Sequence, residues 1–336
     1  MPEPLLEVKD LRVHFPTDDG LVKAVDGITF SVAPGETLGI VGESGSGKSV
    51  SSLSIMGLIT RKQAEISGQA LFRGQDLLQL PNEEMREIRG AKISMIFQDP
   101  MTSLHPYYKV GVQIAEAIRQ HRDVSKKEAF DQAVDMLGKV NIPQPKDRAK
   151  QYPHEFSGGM RQRAMIAMAL SLNPDLVIAD EPTTALDVTV QAQILELIDR
   201  LKSEFNAAVI IVTHDLGVVA EYCDNIQVMY AGRIVEFGRT DDIYYRPTHP
   251  YTWGLLQSIP RMDELTERLN PITGRPPSLI NVPPGCAFNP RCPYTFDRCR
   301  TDLPELIPVD GYHADACHLA KADKDRILAE EVLARR

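Results

Sequence analysis

Four short runs of apolar and β-branched residues, TLGIV (37–41), ISMIF (93–97), DLVIA (175–179) and AVIIVT (208–213), are each bounded by turn or polar residues. Runs of that length without polar alternation predict strands buried on both faces. The helical patterns between them predict an α/β fold with a partly parallel sheet flanked by helices. SKKEAFDQAVDMLGKV opens with Ser125 and Glu128 in capping-box register and sets Phe130, Val134 and Leu137 on one helical face, which predicts an inserted helical region. IQVMYAGRIVEFG (226–238) alternates on either side of Ala231 and Gly232, the pattern of a hairpin.

The texture changes after about residue 245. Seven prolines in 271–293 exclude regular helix or strand interiors and predict a separate, loop-rich tail. The closing LAKADKDRILAEEVLARR returns to helical spacing with mixed charge and reads as a solvated terminal helix.

A length of 336 residues has room for one large domain and a small one. The net charge of −9 speaks against a nucleic-acid partner, which calls for a basic face. MPEPLLEVKD has no signal-peptide character, and no run approaches the ~20 apolar residues of a membrane helix, so the expectation is a cytosolic chain with at most peripheral membrane contact. In a reducing compartment the cysteines matter differently. Cys286, Cys292 and Cys299 fall within fourteen residues and Cys317 follows after a gap of seventeen, a cluster better suited to a metal than to disulfides. Zinc and a [4Fe–4S] cluster both accept four cysteines, and the spacing matches the usual pattern of neither. His313 and His318 offer nitrogen ligands to zinc, and simple packing of the thiols is the third reading. Cys223 reads as an ordinary buried small residue.

GESGSGKS, Gly42 to Ser49, fits G-x-x-x-x-G-K-[ST] between a strand and the helical VSSLSIMGLI. Glycines there let backbone N–H groups turn toward phosphate oxygens, Lys48 reaches the β/γ-phosphates and Ser49 can join a Mg²⁺ shell. PDLVIADEP ends a strand in Asp180 and Glu181, where one carboxylate can bind Mg²⁺ and the other can polarise a water, because paired acids at a buried strand end demand a cation. FSGGMRQR sets Ser157, Gly158 and Gly159 at a helix start, either a second anion site or a plain N-cap.

The P-loop, Gln98 in IFQDP, SGGMRQR, LVIADEP, TTALD and His214 in VTHD stand in the order of ATP-binding cassette (ABC) ATPases, which residues 1 to about 255 resemble. The resemblance implies a P-loop nucleotide-binding domain with a RecA-like core, an antiparallel β subdomain and a helical subdomain at about 100–170. It implies ATP and Mg²⁺ as cofactors, with Gly42, Ser44, Gly45, Ser46, Gly47, Lys48 and Ser49 around the phosphates. Gln98 then matches the γ-phosphate and metal sensor, Asp180 the magnesium ligand, Glu181 the general base and His214 the switch histidine. Asp187 matches the residue that reaches a partner's site, and Ser157, Gly158 and Gly159 match the signature that closes it, so the family works as a head-to-tail dimer. Phe15 matches the adenine-stacking aromatic, or is a strand residue that packs. The family's signature usually ends in Gln, where this chain has Met160.

GESGSGKSVSSLSIMGLI, MIFQDPMTSLHP, DEPTTALDVTVQAQI and HPYTWGLLQSIP narrow the resemblance to the ATPase subunits of dipeptide, oligopeptide and nickel ABC importers, the dipeptide type above all. That subfamily implies a cassette at 1–255 and a cysteine-bearing tail at 256–336, with a [4Fe–4S] cluster on Cys286, Cys292, Cys299 and Cys317. It implies a second, usually non-identical ATPase, two permease subunits, an external substrate-binding protein, and a place on the cytoplasmic face of the inner membrane. The alternative is a soluble ABC ATPase acting on ribosomes or DNA, though those usually fuse two cassettes or insert coiled coils. A binding module without hydrolysis is disfavoured by Glu181 and His214.

Overall fold

The computed structural model describes residues 3–184, 187–258 and 272–333. The chain divides into two compact units. One comprises Met1–Leu5, Val32–Glu36 and Gln79–Val212, the other Leu6–Ser31, Thr37–Leu78 and Thr213–Arg336.

In the first unit Leu176–Asp180 is the middle of three parallel strands, paired with Ile93–Ile96 on one side and Ala208–Thr213 on the other. Every residue of the three is buried, as unbroken apolar runs require when helices cover both faces. Phe97, expected at the end of its strand, lies beyond it and is 36% exposed. The helical region follows from local rules. Ser125 Oγ accepts from the N–H of Glu128 at 3.2 Å and starts Lys126–Lys139. That helix buries Ala129, Ala133, Val134, Met136 and Leu137, with Phe130 half-buried, and packs against Val110–His121. Each fully buried Val, Leu or Met is worth ~1.5–3 kcal/mol, which outweighs the weak intrinsic stability of such short helices.

The second unit holds a four-stranded antiparallel sheet in the order Gly20–Val32, Leu6–Thr17, Glu65–Phe72, Gln75–Asp76. A second sheet pairs Thr37–Val41 in parallel with Asn225–Tyr230, which turns through Ala231 (φ 47°) and Gly232 (φ 80°) into antiparallel Arg233–Arg239. Two consecutive left-handed residues make the turn that matches strand twist, so the expected hairpin forms.

The tail contributes more than loops. His313–Asp315 pairs with Arg233–Arg239, and Ile307–Asp310 pairs with it in turn. Beneath this seam Glu236 is fully buried and accepts from Thr248 N–H at 2.5 Å, Thr248 Oγ1 at 3.0 Å and His249 N–H at 3.2 Å, with His313 Nε2 at 2.8 Å. Burial pushes the Glu236 carboxyl up, but His313 and these donors hold it below its ordinary value.

The terminal helix departs from the sequence expectation. Lys321–Ile327, continued to Leu333, sets Ile327 (3% exposed) and Val332 (2%) against Trp253, Tyr294, Leu319 and Leu328. Lys324, which reads as a solvated charge, is buried and ion-paired to Asp315 at 2.7 Å. Among the described residues no helix is long and apolar enough to cross a membrane.

Candidate functional site

In the second unit the buried strand Thr37–Val41 runs into Gly42–Ser49, and the helix Lys48–Ile55 begins inside that loop. Gly47 has φ 102°, and a Cβ there would lie 2.1 Å from the carbonyl oxygen of Ala24, so only glycine fits. Lys48 is 4% exposed and donates from Nζ to the carbonyls of Gly42 (2.7 Å) and Glu43 (3.0 Å), which turns the ammonium back over its own loop. Ser46 and Gly47 are buried, Ser49 is half-buried, and Ser44 and Gly45 face outward. His214 is exposed directly after Ala208–Thr213, and Phe15 is half-buried near the end of Leu6–Thr17.

The first unit carries the acids and the SGG loop. Asp180 ends its strand 6% exposed, and Glu181 follows at φ 45° with its N–H donating to Val212 O at 2.8 Å. A positive φ on glutamate is uncommon and aims the side chain where regular backbone would not. Its Oε2 accepts from Gln98 Nε2 at 2.9 Å and from Thr184 Oγ1 at 2.8 Å, so two residues 83 positions apart in sequence meet at one carboxylate. Ser157 Oγ accepts from Met160 N–H at 3.3 Å and caps Gly158–Leu170, with open space at Gly158 and Val190 beside Gly159. Asp187 caps Val188–Phe205 by accepting from Val190 N–H at 3.0 Å.

Two features escaped the sequence reading. Buried Gln162 donates from Nε2 to the Pro182 carbonyl at 2.6 Å and ties the SGG helix to the loop after the acids. Arg291 forms a two-point ion pair with Glu43. Gln162 sits two residues past Met160, where a buried polar residue on a helix signals a fixed partner. Nothing in the sequence points from Arg291 to Glu43.

In the tail, Cys286 N–H donates to Cys299 O at 2.9 Å. Burial pushes the Cys286 thiol up, and pushes Cys292 and Cys317 up to about 12. The backbone N–H groups of Phe288, Tyr294 and Leu319 oppose this by hydrogen bonding to the sulfurs of Cys286, Cys292 and Cys317. Charge on Cys286 raises Cys292 and Cys317, and charge on Cys299 raises Cys286 and Cys292, so the four thiols share one neighbourhood. Among the described residues no three His, Cys, Asp or Glu side chains are arranged to hold a metal ion. The nitrogens that favoured zinc are engaged elsewhere, His313 with Glu236 and His318 with the Asp302 carbonyl at 2.8 Å. Cys223 is buried as expected, beside Gly39.

Residues 25–184 match the ABC transporter family, and residues 235–299 match the C-terminal region of oligopeptide/dipeptide transporters. The chain is similar to the oligopeptide transport ATP-binding protein OppD of Haemophilus influenzae, 55% identical over 317 residues that span 94% of this chain and 98% of that protein. It is 56% identical over 318 residues to the dipeptide transport ATP-binding protein DppD of Bacillus subtilis, covering 94% and 95% of the two chains. The ATP-binding cassette MJ0796, solved as a dimer in a post-hydrolysis state bound to ADP and Pi, matches with a TM-score of 0.62 at 27% identity over 70% of this chain and 98% of that one. The chain belongs to the ABC transporter ATPases that carry the oligopeptide/dipeptide transporter C-terminal region.

Proposed function

We propose that this chain is the ATP-hydrolysing, energy-coupling subunit of a peptide importer. The observation that carries the reading is the oligopeptide/dipeptide transporter region on a chain 55% identical to OppD along nearly its whole length. Gly42 to Ser49 suit a polyphosphate, since the loop is tight, glycine-dependent and ends in a buried lysine. Lys48 neutralises the β/γ-phosphates. Ser49, Gln98 and Asp180 would offer oxygens to Mg²⁺, which would supply neutralisation of charge on the transferring phosphoryl group. Glu181 accepts the proton of the attacking water, with its carboxylate fixed by Gln98 and Thr184. Gln98 senses the γ-phosphate, His214 is the switch histidine and Phe15 stacks on adenine.

Ser157, Gly158 and Gly159 close the nucleotide site of a second ATPase, which Asp187 also reaches, in a head-to-tail dimer of two non-identical subunits. Met160 leaves that partner site without the family's polar side chain. Two permeases and an external binding protein complete the complex at the cytoplasmic face of the inner membrane. Exposed Met101 (55%), Tyr107 (82%), Tyr108 (56%) and Val112 (42%), close behind Gln98 in the chain, suit an apolar permease contact. The cassette is assigned to 1–255 with a helical subdomain at about 100–170, and the tail to 256–336. Cys286, Cys292, Cys299 and Cys317 would hold a [4Fe–4S] centre, which supplies cross-linking of the tail loops. The N–H donors to three sulfurs offset part of the cost that burial places on thiolate ligands, and ligation to iron would supply the rest.

Purification from detergent extracts tests the assembly. Recovery with two membrane subunits and a second ATPase is expected. Recovery with ribosomes or DNA and no membrane subunit would support the soluble alternative instead.

A further inference from the structure

The cysteine tail is joined to the phosphate loop through Arg291 and Glu43. Glu43 is the second residue of the loop, and its carbonyl is one of the two that hold the Lys48 ammonium. Three tail-side or helix-borne contacts converge on this one residue. Its carboxylate takes Arg291 Nη1 on Oε2 at 2.5 Å and Arg291 Nη2 on Oε1 at 3.0 Å. Its N–H donates to the hydroxyl of Tyr251 at 2.8 Å, from the helix Pro250–Gln257.

The clamp is itself held rigidly. The Arg291 side chain is 4% exposed, and its remaining donors reach Thr273 O (3.1 Å), Ile272 O (3.3 Å) and Tyr230 Oη (3.3 Å). The guanidinium lies 5.9 Å from the ring centroids of both Tyr230 and Phe288. Tyr251 is fully buried and contacts Tyr230 and Phe288 at centroid distances of 4.6 and 5.4 Å. A two-point arginine–carboxylate pair fixes orientation as well as distance, and a planar fork buried among rings has little freedom to swing. A solvent-facing loop residue with only structural duties would not need its carboxylate and its amide gripped from two separate elements.

We propose that Arg291 and Tyr251 are positioning residues for the phosphate loop, which hold the Glu43 peptide so that its carbonyl orients Lys48. They touch no substrate atom and act through Glu43. Because Arg291 adjoins Cys292, whatever orders the cysteine segment also sets the loop. The proposal rests on the ATP-binding reading.

The test is nucleotide affinity of the full chain in its purified complex, read by titration with a fluorescent ATP analogue. Arg291→Met and Glu43→Gln are each expected to raise Kd on the order of tenfold, as misplacement of a binding group by an ångström or less does. The double variant is expected to be no weaker than the weaker single variant, since both remove one interaction. Tyr251→Phe, which keeps the ring and deletes only the hydroxyl, is expected to raise Kd about threefold. Arg291→Lys should recover part of the loss, and kcat at saturating ATP should move less than Kd. Unchanged Kd in Arg291→Met with its tail still protected from protease, or single effects that multiply in the double variant, overturns the proposal. If Arg291→Met loses the tail's protection, Tyr251→Phe decides, and an unchanged Kd there overturns it. A wild-type chain that binds no nucleotide would instead strike the ATP-binding reading.

Discussion

Gln98 donates its amide hydrogen to Oε2 of Glu181 at 2.9 Å, and Thr184 donates to the same oxygen at 2.8 Å. Two donors on one oxygen fix the orientation of the carboxylate proposed as the general base. Glu181→Gln is therefore expected to retain ATP binding and to lose ~10²-fold or more in turnover, the usual cost of removing a general base. Steady-state ATPase of the assembled complex checks this, and near-normal turnover would assign the base elsewhere.

The SGG loop caps its own helix through Ser157, and its proposed nucleotide belongs to a partner chain. The isolated chain should hydrolyse ATP slowly, with a rate that grows as the square of protein concentration at high dilution. Turnover per chain that is independent of concentration and equal to that of the complex would contradict the dimeric site.

His249 is 1% exposed, and burial lowers its imidazole from 6.5 to about 4, a trend opposed by the charges of Glu236 and Asp315 and aided by Lys324. Its Nδ1 accepts from Tyr251 N–H at 3.1 Å, which suits the neutral ring. Between pH 4 and 6.5 the unfolded chain binds a proton that the folded chain refuses, so stability rises with pH across that window and is lost as pH falls through it. The full contribution is roughly 3 kcal/mol. Urea unfolding midpoints from pH 4.5 to 7 should show the slope, and His249→Asn, which keeps an acceptor at the helix cap, should flatten it.

The strands, the phosphate loop, the acid pair and the hairpin at Ala231 and Gly232 were legible in the sequence because each is encoded by adjacent residues. Backbone-dictated features such as Gly47 at φ 102° announce themselves in the same way. What was not legible depends on side chains far apart in sequence. Arg291 and Glu43 are 248 positions apart, and neither residue type implies the other. The terminal helix reads as solvated because mixed charge normally marks solvent, whereas Lys324 is buried on Asp315 and Ile327 and Val332 pack with Trp253. The same limit applies to the cysteines, whose spacing left their chemistry open.

Anaerobically purified protein is expected to be brown, with broad absorbance near ~400 nm and about four irons per chain, the stoichiometry of a single [4Fe–4S] centre. Cys292→Ser should bleach it and loosen the tail. Through Arg291 it should also weaken nucleotide binding, an effect the sequence reading does not anticipate. Colourless protein with one zinc per chain, or metal-free protein with an ordered tail, would reject the cluster.

The most direct test of the central claim is peptide uptake by the purified complex in proteoliposomes, with the external binding protein and a labelled dipeptide or oligopeptide on one side and ATP on the side of this subunit. Accumulation that requires ATP, and that falls ~10²-fold or more in rate with Glu181→Gln, is the expected result. ATP hydrolysis without peptide movement, for any peptide length offered with its binding protein, would contradict the assignment.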